Sequence, residues 1–273
     1  MVNGFRPETL QEALAIRACE HVTPYAGGTD LMVRAPQDAI YLFIGHLPEL
    51  RRITCAAGML SFGAACTFSE VLDAPETPTL LKEAISHIAA PAIRNMGTIG
   101  GNVANASPKA DSALIFHVLD AQVRLQSATG ERLVPIASFY EGRNQTCLQA
   151  DELLTEICLP VPRYDRYFYQ KVGAREALSI ARVSFAGVLQ MQGDVIAHVA
   201  TAYGAVADTI LRRPDLDAML VGLTLEQAAA RKAQYLAAFD EAIVPIRGRV
   251  SAQYRKDVLM RLLERFLEQS GVR

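Results

Sequence analysis

The chain of 273 residues is 51% hydrophobic and has a formal net charge of −2 at pH 7, so it can bury a large core in one or two domains. Because it has no basic excess, nucleic acid is not expected as its main partner. No window approaches the ~18 uninterrupted apolar residues of a membrane span, and the first residues lack the apolar core of a signal peptide. These features predict a cytoplasmic protein with no membrane span.

Cysteine and histidine are dispersed along the sequence. The five cysteines include no Cys-x-x-Cys pair, and the five histidines include no pair at i, i+4. We therefore expect free thiols in a reducing compartment, and no metal ligands in this chain. The basic stretch Leu211-Arg212-Arg213-Pro214 is predicted to be solvated surface charge or helix-end cations.

The first 162 residues are predicted to alternate short helices with strands. Thr9 and Glu12 have capping-box spacing at the start of a first helix, and Thr67 and Glu70 repeat that spacing. Apolar runs bounded by proline, glycine and polar residues predict the remaining elements. We expect further helices at 80–89 and 111–119, and strands at 22–26, 39–44, 60–65, 122–126, 132–136 and 153–159.

A stretch with two prolines, residues 160–165, is the best candidate for a linker. Beyond it, the pattern predicts three antiparallel strands at 167–172, 181–191 and 195–202. Two amphipathic helices follow, one capped by Thr224 with Gln227 and one that begins after Ser251.

Two glycine-rich stretches carry the functional prediction, Ala26-Gly27-Gly28-Thr29-Asp30-Leu31 and Thr98-Ile99-Gly100-Gly101-Asn102. Glycine lets a backbone adopt φ > 0 and approach a ligand closely, and successive N–H groups in such a loop can form a nest for phosphate oxygens. A single Gly-Gly pair also serves ordinary turns. Two such loops in one chain favour one ligand with two phosphates and a long body, such as a dinucleotide.

Three common signatures are absent. Residues 97–102 do not have the spacing of the Rossmann Gly-x-Gly-x-x-Gly, and no glycine precedes a Gly-Lys-Ser/Thr at the P-loop distance. A Gly-x-Ser-x-Gly elbow is missing too. The remaining hypothesis is a pyrophosphate held by two separate backbone nests.

Residues 25–32 and 93–102 closely resemble the flavin-binding subunits of molybdenum hydroxylases, the group that contains xanthine dehydrogenase and aerobic carbon monoxide dehydrogenase. The resemblance continues through Ala106-Ser107-Pro108 to Asp111, and through residues 151–160. Lys171 and Arg175 then fall where the family carries a lysine and an arginine. The resemblance covers essentially the whole chain.

This resemblance implies an α+β fold in two domains. Residues 1–162 would form a FAD-binding domain of the vanillyl-alcohol-oxidase type, with subdomains at about 1–56 and 57–162. Residues 163–273 would form the family's small C-terminal domain, with a three-stranded antiparallel sheet and helices.

The resemblance also implies the cofactor-binding residues. Main-chain N–H groups of both glycine stretches would hold the FAD diphosphate, with side-chain hydrogen bonds from Thr29, Thr98 and Asn102. A carboxylate at Asp111 suits sugar hydroxyls or an exocyclic amine, Leu154 an apolar contact, and Lys171 a polar contact near the isoalloxazine. The implied set is Tyr25, Ala26, Gly27, Gly28, Thr29, Asp30, Leu31, Met32, Thr98, Ile99, Gly100, Gly101, Asn102, Asp111, Leu154 and Lys171.

One position departs from the family pattern. Ser179 precedes Ile180-Ala181 where the family often carries an aspartate, which leaves the charge around the flavin ring open. Neither glycine stretch contains a histidine, so nothing favours covalent flavin attachment.

By this resemblance the chain is an electron-transfer subunit with no catalytic dyad of its own. It would pass electrons from iron–sulfur clusters of a partner subunit through FAD to an acceptor such as NAD⁺, while a larger partner subunit carries molybdopterin. Two alternatives stay open. One is a free-standing flavin-dependent reductase, for which Ser107 and Tyr169 are candidate proton donors; the other is a flavin-free scaffold for assembly.

Overall fold

The computed structural model describes residues 3–35, 38–175, 178–246 and 248–273. The chain divides into two compact units. The first unit comprises Met1–Pro78, Ile88–Ala106 and Asp120–Val161, and the second comprises Thr79–His87, Ser107–Leu119 and Pro162–Arg273. Among the residues described, none of the helices combines the length and the apolar character that crossing a membrane requires.

Within the described ranges, the strands fall into four sheets. In chain order they are β1 (Gly4–Phe5), β2 (Thr23–Tyr25), β3 (Tyr41–Phe43), β4 (Ile53–Ala56), β5 (Met59–Gly63), β6 (Gln122–Ser127), β7 (Gly130–Pro135), β8 (Tyr140–Gly142), β9 (Gln145–Thr146), β10 (Leu153–Pro160), β11 (Arg166–Val172), β12 (Val183–Gln192), β13 (Val195–Gly204) and β14 (Leu211–Arg212).

Most helices are short, and the two long ones close the chain. They are α1 (Leu10–Cys19), α2 (Phe68–Asp73), α3 (Thr79–Ser86), α4 (Pro91–Arg94), α5 (Ile99–Ala104), α6 (Asp111–Val118), α7 (Ile136–Phe139), α8 (Pro214–Asp217), α9 (Leu225–Ala242) and α10 (Ala252–Gln269). The described residues also form 3₁₀ segments at Leu31–Arg34, Pro48–Arg51 and Ala218–Leu220.

The first unit contains a small parallel sheet and a larger antiparallel one. The parallel sheet has the order β1-β3-β2, and the antiparallel sheet has the order β4-β5-β10-β6-β7. Leu14 of α1 packs with Leu42, Leu47 and Leu50 in a buried cluster against the parallel sheet. This packing fixes the parallel sheet, whose strand ends matter for the site.

Helix starts in the first unit follow the predicted caps. The Thr9 side chain accepts a hydrogen bond from the Glu12 amide, and the capping box of Thr67 and Glu70 is complete at α2. The strands predicted at 22–26 and 39–44 are shorter in the structure. The strand predicted at 132–136 ends at Pro135, because Ile136 begins α7.

The second unit contains the antiparallel sheet β11-β12-β13-β14. Buried side chains of this sheet, of α9 and of α10 form one core. Here the prediction of three strands is incomplete, since β14 pairs with β13 as a fourth. A strand of two residues followed by proline has no periodicity from which it could have been predicted.

Arg212 of β14 also corrects the prediction of a solvated basic stretch. Its side chain is only 9% exposed, and its Nη1 lies 3.2 Å from Asp217 Oδ2. Asp217 further accepts hydrogen bonds from the amide and hydroxyl of Thr201 and from the Tyr235 hydroxyl. Burial raises the pKa of Asp217 to about 6, although Arg212 opposes that shift. The arginine therefore belongs to a buried network that joins β13, β14, α8 and α9.

Two segments from the first 162 residues belong to the second unit, namely the one that carries α3 and the one that carries α6. The compact units therefore do not follow the sequence as two consecutive pieces. The predicted domain boundary after residue 162 stays a prediction.

Candidate functional site

The first glycine loop, residues 26–31, directly follows β2. Gly28 has φ +69°, a conformation that L side chains rarely adopt. A Cβ at Gly28 would overlap the hydroxyl of Tyr25. The aromatic ring of Tyr25 is held in turn by an edge-on contact with Tyr41, with 5.8 Å between ring centroids. The loop thus folds back over Tyr25, and only glycine fits at its bend.

The backbone amides of this loop are its main chemical feature. Within the described part of the chain, the amides from Gly27 to Leu31 donate no hydrogen bond to any protein group. The next amides are used, since Met32 N donates to Gly28 O at 2.9 Å and Val33 N donates to Asp30 O at 3.1 Å. A run of unpaired amides around a residue with positive φ is the arrangement of an anion-binding nest.

The second glycine motif, residues 98–102, is the start of a helix and not a loop. Thr98 has extended backbone angles and caps α5, its side chain accepting from the Gly101 amide at 3.2 Å. The other amides of the motif also have acceptors: Ile99 N donates to Cys66 O, Gly100 N to Ala64 O and Asn102 N to Thr98 O. The amides of Ile99, Gly100, Gly101 and Asn102 thus already have acceptors within the protein, and the predicted contact of these residues with a cofactor stays a prediction.

The two glycine motifs lie beside each other in the first unit. A Cβ at Gly27 would overlap the carbonyl oxygen of Met96, two residues before Thr98. A Cβ at Gly97 would lie 3.2 Å from Thr29 Oγ1. Bare backbone at Gly27 and Gly97 lets the loop approach the segment that leads into α5.

A cavity of about 710 Å³ opens at the point where the motifs meet. Its wall includes Ala26 and Gly27 of the first loop and Thr98 of the second motif. The carboxyl ends of the three parallel strands contribute too, through Arg6 after β1, Tyr25 of β2, and Phe43, Gly45 and His46 at the end of β3. In open α/β sheets this edge is where ligands commonly bind.

The cavity is also lined by the charged residues Arg51 and Glu70. Arg51 forms an ion pair with Glu70, and Glu70 closes the capping box by accepting from the Thr67 amide at 2.7 Å. Burial acts to raise the pKa of Glu70, but the hydrogen bonds from Thr67 and Arg51 outweigh it and hold that pKa below its usual range. Glu70 is therefore a carboxylate at neutral pH, and it neutralises Arg51.

In the second unit, Asp111 and Lys171 contact each other. Lys171 Nζ lies 2.7 Å from Asp111 Oδ2, and the two side chains are 8% and 6% exposed. Tyr169, which lies on the same face of β11 as Lys171, donates its hydroxyl to Asp111 Oδ1 at 3.1 Å. Lys171 Nζ also donates to the carbonyl of His87 at 3.0 Å.

Burial is the largest influence on the pKa values of Asp111 and Tyr169. It raises the pKa of Asp111, with the Lys171 ammonium as the largest opposing influence. Burial and the neighbouring carboxylate raise the pKa of Tyr169. The Tyr169 hydroxyl thus keeps its proton and already donates it to Asp111, which speaks against Tyr169 as the proton donor of a free-standing reductase.

Leu154 lies on β10 opposite Leu125 of β6 and is 7% exposed. It is a core residue of the first unit, and its predicted contact with a cofactor stays a prediction. The cavity residues Arg6, Phe43 and His46 were not predicted from the sequence. Pairing the strand predicted at 22–26 with the one at 39–44 would have pointed to their ends, but β1 is too short to be predicted.

Comparisons with known proteins cover both halves of the chain. Residues 1–162 match the family model described as the FAD binding domain in molybdopterin dehydrogenase. Residues 168–270 match the model described as the CO dehydrogenase flavoprotein C-terminal domain.

Individual relatives agree with these matches. The carbon monoxide dehydrogenase medium chain of Afipia carboxidovorans is 32% identical, over 98% of this chain and 96% of the relative. A putative xanthine dehydrogenase FAD-binding subunit of Escherichia coli is also 32% identical, over 76% and 75%. Among solved structures, a chain of the Cu,Mo-containing CO dehydrogenase superposes with a TM-score of 0.89 at 28% identity, over 98% of this chain and 97% of that one.

Proposed function

Because the chain belongs to the family of FAD-binding domains in molybdopterin dehydrogenases, we propose that it is the electron-transfer subunit of a molybdenum hydroxylase complex. In this proposal it receives electrons from the iron–sulfur clusters of one partner subunit and passes them through FAD to an acceptor such as NAD⁺. A second, larger partner subunit carries molybdopterin and selects the substrate.

The observation that carries the proposal is the first glycine loop. Its unpaired amides from Gly27 to Leu31 are donors without acceptors, and the diphosphate of FAD offers anionic oxygens that can accept from them. Gly28 has the positive φ that such a nest uses, and the Tyr25 side chain lies against it and leaves no room for a Cβ. The residues present therefore fit the cofactor that the family implies.

Each group of residues has its own task in this proposal. The loop amides bind the diphosphate, Thr29 adds a side-chain donor, and Thr98 stands at the cavity wall beside them. The further contacts that the resemblance implies, from Asp111, Leu154 and Lys171, are proposed on that resemblance alone. When bound, FAD supplies a centre that accepts electrons singly and releases them singly or in pairs.

We propose the assignment of the metal centres to partner chains from the names of the relatives. The medium chain of carbon monoxide dehydrogenase is by its name one part of a larger enzyme. We infer the same arrangement for this chain.

The proposal is tested by flavin retention in the full chain and in two glycine variants. Gly28→Ala adds a Cβ that overlaps Tyr25, whereas Gly58→Ala adds one to a glycine with φ +76° and no atom within 4 Å. Both variants carry comparable backbone strain of ~1 kcal/mol, so Gly58→Ala is the matched control. We expect the purified wild type and Gly58→Ala to show the flavin absorption spectrum, and Gly28→Ala to lose it.

Two results would contradict the proposal. A wild-type chain that binds no FAD, even when it is co-expressed with its partners, would favour the scaffold alternative. A wild-type chain that turns over a substrate on its own, without partners, would favour the free-standing reductase.

A further inference from the structure

Arg6 lies at the carboxyl end of β1, level with the start of the first glycine loop. Phe5 pairs with Leu42 and Tyr25 pairs with Phe43. Arg6, which follows Phe5, is therefore level with Phe43 and Tyr25, the last residues of β3 and β2. Because β3 lies between β1 and β2, Arg6 is about two strand spacings, or roughly 10 Å, from the end of β2. Arg6 and Gly27 line the same cavity.

The backbone around Arg6 is held on both sides. On its N-terminal side Gly4 and Phe5 are paired with β3. On its C-terminal side the Pro7 carbonyl accepts a hydrogen bond from His46 Nε2 at 2.9 Å, and the proline ring restricts its own φ. Ordering Arg6 on a ligand would therefore cost mainly the entropy of its side chain.

The other basic side chains of the cavity are already engaged. Arg51 is paired with Glu70, and His46 Nε2 donates to Pro7. Arg6 forms neither an ion pair nor a hydrogen bond with any residue that the structure describes. Its guanidinium is thus an uncompensated positive charge at a cavity that is also lined by Gly27, the first residue of the glycine loop with an unpaired amide.

We propose that Arg6 binds a phosphate oxygen of the same diphosphate that the glycine loop binds. The assignment rests on the proposed function and names a residue outside both glycine motifs. Neutral amides supply direction but no net charge, whereas a diphosphate carries negative charge that arginine can pair bidentately. Arg6 accordingly makes the site select a ligand with a diphosphate, and makes binding depend on ionic strength.

The test measures FAD affinity of the full-length chain after flavin removal, by quenching of flavin fluorescence. The variants are Arg6→Gln, which removes the charge, and Arg6→Lys, which keeps it without the bidentate geometry. Arg52→Gln is the matched control, because Arg52 is also exposed and follows the paired Arg51, but lies outside the set of residues that line the cavity. Thermal unfolding verifies that each variant is folded.

We expect Arg6→Gln to weaken FAD binding about tenfold to hundredfold, the usual range for losing a charge-assisted hydrogen bond. Arg6→Lys is expected to fall between wild type and Arg6→Gln, and Arg52→Gln to bind like wild type. The loss of affinity between low and high salt is expected to be smaller in Arg6→Gln than in wild type.

Three results would overturn the inference. Folded Arg6→Gln could bind FAD with the wild-type affinity and the wild-type salt dependence, which would leave Arg6 without a role. Equal weakening by Arg6→Gln and Arg52→Gln would indicate a general charge effect. If the wild type itself binds no FAD, the proposed function fails, and the assignment of Arg6 fails with it.

Discussion

The two glycine motifs of the first unit look alike in sequence and use their backbone in opposite ways. The amides from Gly27 to Leu31 donate no hydrogen bond within the described residues, whereas those from Ile99 to Asn102 all bond within the protein. The difference comes from the flanking residues. Thr98 caps a helix, while Gly28 makes a left-handed bend over Tyr25. A pair of glycines therefore does not by itself specify a phosphate nest.

Gly100 of the second motif serves packing. Gly100 N donates to Ala64 O at 3.0 Å, and a Cβ at Gly100 would lie 2.6 Å from that same oxygen. Close approach to the backbone of Ala64 leaves no room for a side chain. The second motif thus holds the cavity wall in place, and the first motif offers the donors.

The largest expected effect is a difference in alkylation rate between Cys66 and Cys55. The carbonyl of Cys66 accepts a hydrogen bond from Ile99 N of the second motif. Burial raises the pKa of the Cys66 thiol to about 11. A thiol with its ordinary pKa near 9 would have about a hundredfold more thiolate at pH 8. In a labelling experiment with an alkylating reagent, the exposed Cys55 is expected to react at least a hundredfold faster than Cys66. Similar rates would mean that the second motif opens readily.

The next largest expected effect is a loss of stability in the variant Gly100→Ala. Overpacking against Ala64 is expected to lower the free energy of unfolding by about 2–3 kcal/mol, measured by denaturant titration of the full chain. Gly130→Ala is the control, because a Cβ there meets no atom within 4 Å, and it is expected to change stability little. A Gly100→Ala chain that is as stable as wild type but loses FAD would contradict the difference between the motifs. Gly100 would then contact the ligand and not only the backbone of Ala64.

The smallest effect is that of the helix cap at Thr98. Thr98→Ala removes the acceptor of the Gly101 amide and is expected to cost about 1 kcal/mol of stability. Thr98→Ser keeps the hydroxyl and is expected to restore most of that loss, again in denaturant titrations. A Thr98→Ser chain as unstable as Thr98→Ala would show that the methyl group and not the cap matters.

Much of the architecture could be predicted because the signals are local. Capping pairs such as Thr67 with Glu70 fix where helices begin, and the runs that became β10, β12 and β13 are long enough to show a pattern. The two-residue strands β1 and β14 could not be predicted in this way, because their pairing depends on neighbours distant in sequence. The burial of Arg212 depends on β14 and Asp217, so it was mistaken for a surface charge.

The candidate site likewise combines local features that the sequence predicts with contacts between distant residues that it does not. The Gly-Gly pairs are visible in the sequence, but which amides are free depends on acceptors elsewhere, such as the carbonyls of Ala64 and Cys66. The contact between Asp111 and Lys171 joins residues 60 positions apart. The local sequence around either residue could not predict it. Arg6 enters the cavity only because β1 pairs with β3.

The most direct test of the central claim is amide hydrogen exchange of the full chain at residue resolution, with and without FAD. Without FAD, the amides from Gly27 to Leu31 are predicted to exchange fast, and those of Ile99 and Gly100 to be protected by their bonds to Cys66 and Ala64. Saturating FAD is predicted to slow exchange in the first set by tenfold or more, and to change the second set little. First-loop amides that are already protected without FAD, or that FAD leaves unchanged, would contradict the account.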